Sequence, residues 1–387
     1  GISCKIRRLM KFLEKKNFLI SLFFVYINFS LFAQIFVKGA DLSSLQQLED
    51  SGVKYFTENK DLIPDVISFF SEKKLDCVRL RVWINPELSP KNSTGKNYCN
   101  LENTIKIAQR VKNAGMKVLI DFHYSDYWAD PANQNLPVKW QEKLSRKNFN
   151  EAQKEIQKIV FDYTTESLEK FKEAKIHVDY VQIGNEITNG ILFPYGAIKN
   201  KGSDVQKFSN LASILNEGIK ATKNIFPKAK IILHIDSSGD LSRCLWWFSC
   251  AEKSNLDYDI IGLSYYSLWQ GKDLSKLGNC IKTLSEKFNK GVFIVETAYP
   301  WTLGWNDNLS NLYGMKNQLI ENFDATPEGQ KSYFNELCNI VKNSVKNNSS
   351  GVFWWEPAWI SNEKENNSST IENTTWFDFN NVYIGPL

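Results

Sequence analysis

Eight short apolar runs recur along this 387-residue chain, with starts roughly 30 to 60 residues apart, and no other feature limits its fold as tightly. They are Ile35–Ala40, Cys77–Trp83, Lys117–Phe122, Tyr180–Gly184, Ile231–Ile235, Ile260–Ser264, Val292–Val295 and Val352–Trp355. Between them, stretches such as Asn103–Ala114, Asn150–Lys175, Asp204–Asn224 and Glu328–Lys346 carry Glu, Lys, Gln and Leu with apolar residues at helical spacing. Strand, helix, strand in regular succession implies parallel strands joined by right-handed crossovers. Eight such units are the number that closes a (β/α)8 TIM barrel. An open doubly wound sheet would call for a glycine-rich phosphate loop after its first strand, and none is present. Residues 34–387 are therefore expected to form a single α/β domain.

The first 33 residues read differently. Lys5, Arg7, Arg8, Lys11, Lys15 and Lys16 precede an uncharged run from Asn17 to Ala33, the order of a secretory signal. The alternative, a permanent N-terminal anchor, would need a longer apolar run to span a bilayer. We expect residues 1–33 to be a signal peptide and leader, with no stable membrane insertion once it is removed. The protein would then be secreted, periplasmic or at the cell surface. The leader also holds the excess of positive charge: the formal charge of +4 belongs to the whole chain, and without the leader it falls to about −1. That leaves no basic face for nucleic acid. Removing Cys4 leaves six of the seven cysteines. Disulfides are permitted in an exported chain, but six cysteines allow fifteen pairings and sequence does not choose among them. Cys77 sits in an apolar run and reads equally well as a buried free thiol. With three histidines and no zinc-ligand spacing, no metal or other cofactor is expected.

Two glutamates close apolar runs 110 positions apart: Glu186 after Val181-Gln182-Ile183-Gly184-Asn185, and Glu296 after Val292-Phe293-Ile294-Val295. In a barrel the reacting groups gather at the C-terminal ends of the strands, so both carboxylates would face one pocket. A carboxylate pair flanking one bond is the apparatus of glycoside hydrolysis, and a separation of about 5 Å marks the retaining kind. Spacing alone does not say which is nucleophile and which is acid. Arg79 and Arg81 alternate with apolar residues and share one strand face, where a buried guanidinium needs an anionic partner. A nucleophilic carboxylate would serve, although Arg81 fits a structural ion pair equally well. His123 and His234 read as polar lining. Aromatic residues cluster after the strands: Trp83, Tyr124, Tyr127 and Trp128, then Tyr265, Tyr266 and Trp269, then Trp354, Trp355 and Trp359. Sugar rings stack their C–H faces on such groups.

The strings Gly39-Ala40-Asp41-Leu42-Ser43-Ser44-Leu45, Arg79-Leu80-Arg81-Val82-Trp83-Ile84-Asn85-Pro86 and Asp121-Phe122-His123-Tyr124-Ser125-Asp126-Tyr127-Trp128-Ala129-Asp130-Pro131 continue into Gly184-Asn185-Glu186-Ile187, Ser264-Tyr265-Tyr266, Val295-Glu296-Thr297 and Trp355-Glu356-Pro357-Ala358-Trp359. In that order they resemble glycoside hydrolase family 53, the endo-β-1,4-galactanases of the clan A barrels. The resemblance implies Glu186 as general acid/base and Glu296 as nucleophile. It implies Arg79, His123, Asn185, Tyr265 and Trp355 as pocket residues around the cleaved sugar, and Asp126 and Trp128 as cleft residues. The implied substrate is β-1,4-galactan, the side chain of pectic arabinogalactan, cut with retention; a monomer is expected. Some members of the family bind calcium near the last strands, but Trp305 to Ala325 lacks an alternating run of oxygen ligands, so no metal is expected here. Two alternatives stay open: an endo-glycanase for mannan or glucan, and a non-catalytic carbohydrate-binding barrel. The second predicts loss of a glutamate, and both are present.

Overall fold

The computed structural model describes residues 35–92, 96–198, 205–346, 348–361 and 369–387. The proposed leader lies outside them. Eight parallel strands close into a barrel: β1 Phe36–Asp41, β2 Cys77–Val82, β3 Lys117–Phe122, β4 Tyr180–Ile183, β5 Lys230–Ile235, β6 Ile260–Tyr265, β7 Gly291–Thr297 and β8 Ser350–Trp354. Each strand pairs with its sequence neighbours, and β1 pairs with both β2 and β8, which removes any free edge. All eight apolar runs are strands, with ends shifted by one or two residues.

Period-two alternation divides every strand between an outer face, packed against helices, and an inner face, packed in the lumen. Val37, Cys77, Leu119, Tyr180, Ile232, Ile260, Phe293, Val295 and Phe353 form a separate apolar cluster that floors the lumen. Gly39 belongs to this face because nothing larger fits: a Cβ there would lie 2.2 Å from the Phe353 ring. Above the floor the inward positions turn polar, with Asp41, Arg79, Arg81, Asp121, Gln182, His234 and Ser264 all buried.

β7 breaks the alternation. Leu263 of β6 pairs with Ile294, but Ser264 pairs with Glu296, so Val295 is an extra residue in the β7 ladder. Val295 sits in the floor cluster and Glu296 also faces inward, while Thr297 turns out to bond the Tyr333 hydroxyl at 2.7 Å. Strict alternation from Phe293 and Val295 would have pointed Glu296 at the helices. The bulge re-aims it into the lumen.

The outer layer comprises the helices Val66–Glu72, Leu101–Asn113, Phe149–Glu173, Val205–Ile225, Leu241–Lys253, Leu274–Phe288 and Pro327–Ser344. Their N-termini are fixed by side-chain caps where the loops supply them: Asp65, Asn100, Asp240, Asp273, Thr326, and Asn148 in a capping box with Glu151. Among the described residues no helix longer than the turn Glu372–Thr374 follows β8. An aromatic tail fills that side of the barrel: Trp376 and Phe377 pack on Phe70, and Tyr383 packs edge-on against Phe69. Tyr383 N–H donates to the Phe56 carbonyl at 2.8 Å, which ties the tail to the first loop. Cys77, Cys99, Cys244, Cys250, Cys280 and Cys338 are free thiols. No helix among the described residues is long and apolar enough to cross a membrane.

Candidate active site

A pocket of about 200 Å³ opens at the C-terminal end of the strands, with Glu186 and Glu296 in its wall. Carboxylate oxygens of the two glutamates lie within 4.8 Å of one another. Glu296 is 7% exposed, and its charge is provided for on both oxygens. Oε1 pairs with Arg79 Nη2 at 2.9 Å, and Oε2 accepts the Tyr266 hydroxyl at 3.0 Å. Arg79 is anchored in turn by Asp41 at 3.1 Å, Asp121 at 2.7 Å and the Asn185 amide oxygen at 2.7 Å. Three carboxylates thus surround one guanidinium, so the fork is locked in place and its charge is shared. Burial pushes the Glu296 carboxyl above its ordinary value, and Arg79 pulls it only part of the way back, against the nearby charges of Asp121 and Asp41.

Glu186 is differently placed. It lies just past β4 with backbone φ 47° and ψ 50°, a left-handed conformation that turns the side chain over the lumen. Ser264 Oγ donates to its Oε1 at 2.6 Å. Behind Ser264, at 2.8 Å, stands His234 Nε2. The other ring nitrogen, Nδ1, receives the Glu186 backbone N–H at 3.3 Å, with the Gln182 amide nitrogen at 3.1 Å and the Asn185 amide oxygen, already filled by Arg79, also at 3.1 Å. Nδ1 is therefore the acceptor, and the ring proton sits on Nε2. Burial first, then Arg79, hold the imidazole well below its usual range, hence neutral. Burial, followed by the charge of Glu296, pushes Glu186 well above the ordinary carboxylate range. The two carboxyls thus have different environments: one beside a cation, the other beside neutral donors.

His123 is held between Asp121, 3.1 Å from Nε2, and two donors to Nδ1, the Trp83 indole at 3.3 Å and Ala129 N–H at 3.2 Å. Trp355, Trp128 and Trp269 supply aromatic wall to the pocket, and Trp269 is 58% exposed at its mouth. Trp128 lies parallel to Trp359 at 6.1 Å, with the Arg81 guanidinium 4.2 Å from the Trp128 ring centre. Arg81 also takes the structural role open to it in the sequence. It pairs with Glu356 at 2.5 Å, and burial pushes that carboxyl up to about 8.

One predicted pocket residue is elsewhere. Tyr265 points outward from β6 into the helix layer, where its hydroxyl donates to the Gly271 carbonyl at 2.9 Å. The inward series on that strand is Ile260, Gly262, Ser264 and then Tyr266, so the tyrosine at the site is Tyr266. Alternation counted along β6 would have found it. Asp126, expected in the cleft, lies outside this pocket but borders an adjoining hollow together with Tyr127 and Trp128, where it accepts Asn85 N–H at 2.9 Å and Val138 N–H at 2.8 Å and so ties two loops together. Arg79, His123, Trp128, Asn185 and Trp355 all border the pocket, as expected. Asp41, Asp121 and Ser264 stand in the strings that carry the family resemblance but were given no role, and Gln182 gave no signal beyond being a polar residue in an apolar run.

Known proteins share this architecture. The sequence profile of Glycosyl hydrolase family 53 matches residues 37–387. An arabinogalactan endo-beta-1,4-galactanase of Cellvibrio japonicus (strain Ueda107) is 36% identical over 351 residues, which cover 89% of this chain and 86% of that protein. The Ignisphaera aggregans GH53 catalytic domain superposes with a TM-score of 0.80 at 29% identity, covering 90% of this chain and 93% of that one. A structure from a study of two fungal beta-1,4-galactanases gives a TM-score of 0.73 at 30% identity, covering 90% and 96%. With the profile spanning the whole barrel, and the barrel matched by a GH53 domain of known structure, the chain belongs to glycosyl hydrolase family 53, and it is a glycoside hydrolase.

Proposed function

We propose that this protein is an endo-β-1,4-galactanase that hydrolyses β-1,4-galactan with retention, using Glu296 as nucleophile and Glu186 as general acid/base. The observation that carries the reading is the close carboxyl pair, with oxygens within 4.8 Å. Retaining enzymes hold the two groups about 5 Å apart, whereas inverting ones leave roughly 6.5–9.5 Å for a water. The asymmetry of the pair supports the roles. Glu296 is paired directly with Arg79 and is raised less than Glu186, so it is the group assigned to attack the anomeric carbon as the carboxylate. Glu186, raised by burial, is the group that keeps its proton for the leaving oxygen.

In the first step a Glu296 oxygen bonds to the anomeric carbon while the glycosidic bond breaks and the Glu186 proton passes to the departing sugar hydroxyl. In the second, Glu186, now a carboxylate, takes a proton from water as that water attacks the same carbon and frees Glu296. Two inversions leave the configuration unchanged. The galactanase names of the relatives support galactan as the polymer, and the aromatic walls at Trp128, Trp269 and Trp355 suit pyranose faces. The basic-then-apolar order of residues 1–33 and the size of the polymer support action outside the cytoplasm. Incubation with galactan, mannan and cellulose separately tests the reading. New reducing ends should come from galactan, and their first-formed anomer should be β by NMR. Equal release from mannan or glucan, or an α first product, would overturn it.

A further inference from the structure

We infer that Ser264 and His234 form a positioning pair that fixes which oxygen of Glu186 carries the catalytic proton. The inference rests on the acid/base reading of Glu186 proposed above. It begins with a tautomer. Three groups reach His234 Nδ1: the Glu186 backbone N–H at 3.3 Å, the Gln182 amide nitrogen at 3.1 Å and the Asn185 amide oxygen at 3.1 Å. The backbone N–H can only donate, and the Asn185 oxygen already accepts from Arg79 at 2.7 Å and Gln182 at 3.2 Å, so Nδ1 bears a lone pair and Nε2 bears the hydrogen. Nε2–H then points at Ser264 Oγ, 2.8 Å away, and occupies its acceptor side. The serine's one hydrogen has a single direction left, to Glu186 Oε1 at 2.6 Å. Hydrogen-bond polarity thus runs one way, from His234 through Ser264 to Oε1. With Oε1 already receiving a proton from the serine, the glutamate's own proton belongs on Oε2. The backbone N–H that sets the histidine tautomer is that of Glu186 itself, so the loop that presents the acid also sets the direction of its hydrogen bond.

Both partners are out of reach of substrate, since Ser264 and His234 are 0% exposed in the lumen wall. They act through Glu186 and not on the sugar. In the second step the same donor matters in another way. Once the acid has given up its proton, Ser264 O–H stabilises the carboxylate on Oε1 and leaves Oε2 to take the proton of the incoming water. The other groups that face Glu186 are Glu296 from β7, Arg79 from β2, Asp236 beyond β5, and Tyr266 beyond β6, whose hydroxyl already bonds Glu296. Asp236 is engaged by the Thr188 hydroxyl. None of them donates a hydrogen bond to Glu186, so loss of the serine hydroxyl has no substitute.

The test is Ser264→Ala, a smaller side chain in the same wall, measured beside Glu186→Ala. On galactan, S264A should lower kcat about tenfold, the loss of one hydrogen bond to a charged group, with KM unchanged. The basic limb of its kcat/KM profile should move to higher pH by about half a unit or more, because the ionised form of the acid has lost its donor. An aryl β-galactoside with an acidic phenol, which leaves without protonation, should show little change in the bond-breaking step. A serine with a merely structural role would instead lower thermal stability and leave the limb in place. A basic limb unmoved in S264A, with E186A inactive on galactan, would overturn this inference alone; an active E186A would overturn the acid/base reading beneath it.

Discussion

In the lower half of the barrel lumen Val37, Leu119, Ile232, Phe293 and Phe353 fill the space with hydrocarbon. Two residues further along the same strands stand Gly39, Asp121, His234, Val295 and Trp355, and the polar positions hold Arg79 in contact with Asp41, Asp121 and Glu296, and Ser264 in contact with His234. The floor is sealed and the upper half opens to the pocket at Trp355 and Glu296, and the two hold together by different physics. In the floor, each side chain contributes burial that its neighbours partly share, so a deletion leaves a cavity and a local loss. In the upper half, each charged group is the condition for another: Arg79 without Glu296 or Asp121 would be a buried cation in search of a partner. Change in the floor should therefore be felt in stability alone, and change in the upper tiers chiefly in activity.

The sharpest way to break that contrast is Glu296→Ala. It should lower kcat on galactan by roughly 10⁴-fold or more while the protein stays folded by circular dichroism, and activity near that of the parent would remove the assigned nucleophile. Glu186→Ala comes next. A loss of about 10²–10⁴ is expected on the polymer, and added azide, a small nucleophile that needs no general base, should restore turnover of an activated aryl galactoside. Arg79→Gln should lower kcat/KM about a hundredfold and also shift its acid limb. With the cation gone, the Glu296 pKa rises, so a larger fraction of the nucleophile is protonated at a given low pH and the limb moves to higher pH. An unmoved acid limb would show that Arg79 does not hold Glu296 ionised. Tyr266→Phe removes one of two partners of Glu296 and should cost roughly tenfold in kcat. At the far end, Phe353→Ala in the floor should reduce unfolding free energy by about 3–5 kcal/mol, seen as a lower denaturation midpoint, with kcat at low temperature close to the parent. A large drop in kcat there would show that the floor is not separable from the chemistry.

Much of this was legible in the chain because the signals are local. Each strand is an apolar run whose two faces are both buried, and both glutamates close such runs, so their place at the strand ends follows from the sequence. Arg79 was legible for a related reason: a guanidinium among Val78, Leu80 and Val82 has to find an anion. Tyr265 and Asp126 show where local reading falls short. Tyr265 and Tyr266 are chemically alike neighbours, and only the facing of β6 separates them. Asp126 sits in a string shared with the family, but its oxygens are spent on the backbone of two loops, Asn85 and Val138, that lie apart in sequence.

By itself the sequence determined the parallel barrel, the ends of the chain's eight strands to within a residue or two, and the pair of carboxyls at one rim. The tertiary structure alone decided how those carboxyls differ. The extra residue Val295 turns Glu296 from the helix layer into the lumen, beside a guanidinium from β2. The tautomer of His234 turns Ser264 toward Glu186. A pKa and a hydrogen-bond direction are set by atoms within about 3–6 Å. In this chain those atoms come from strands that lie far apart in sequence and become neighbours only when the barrel closes.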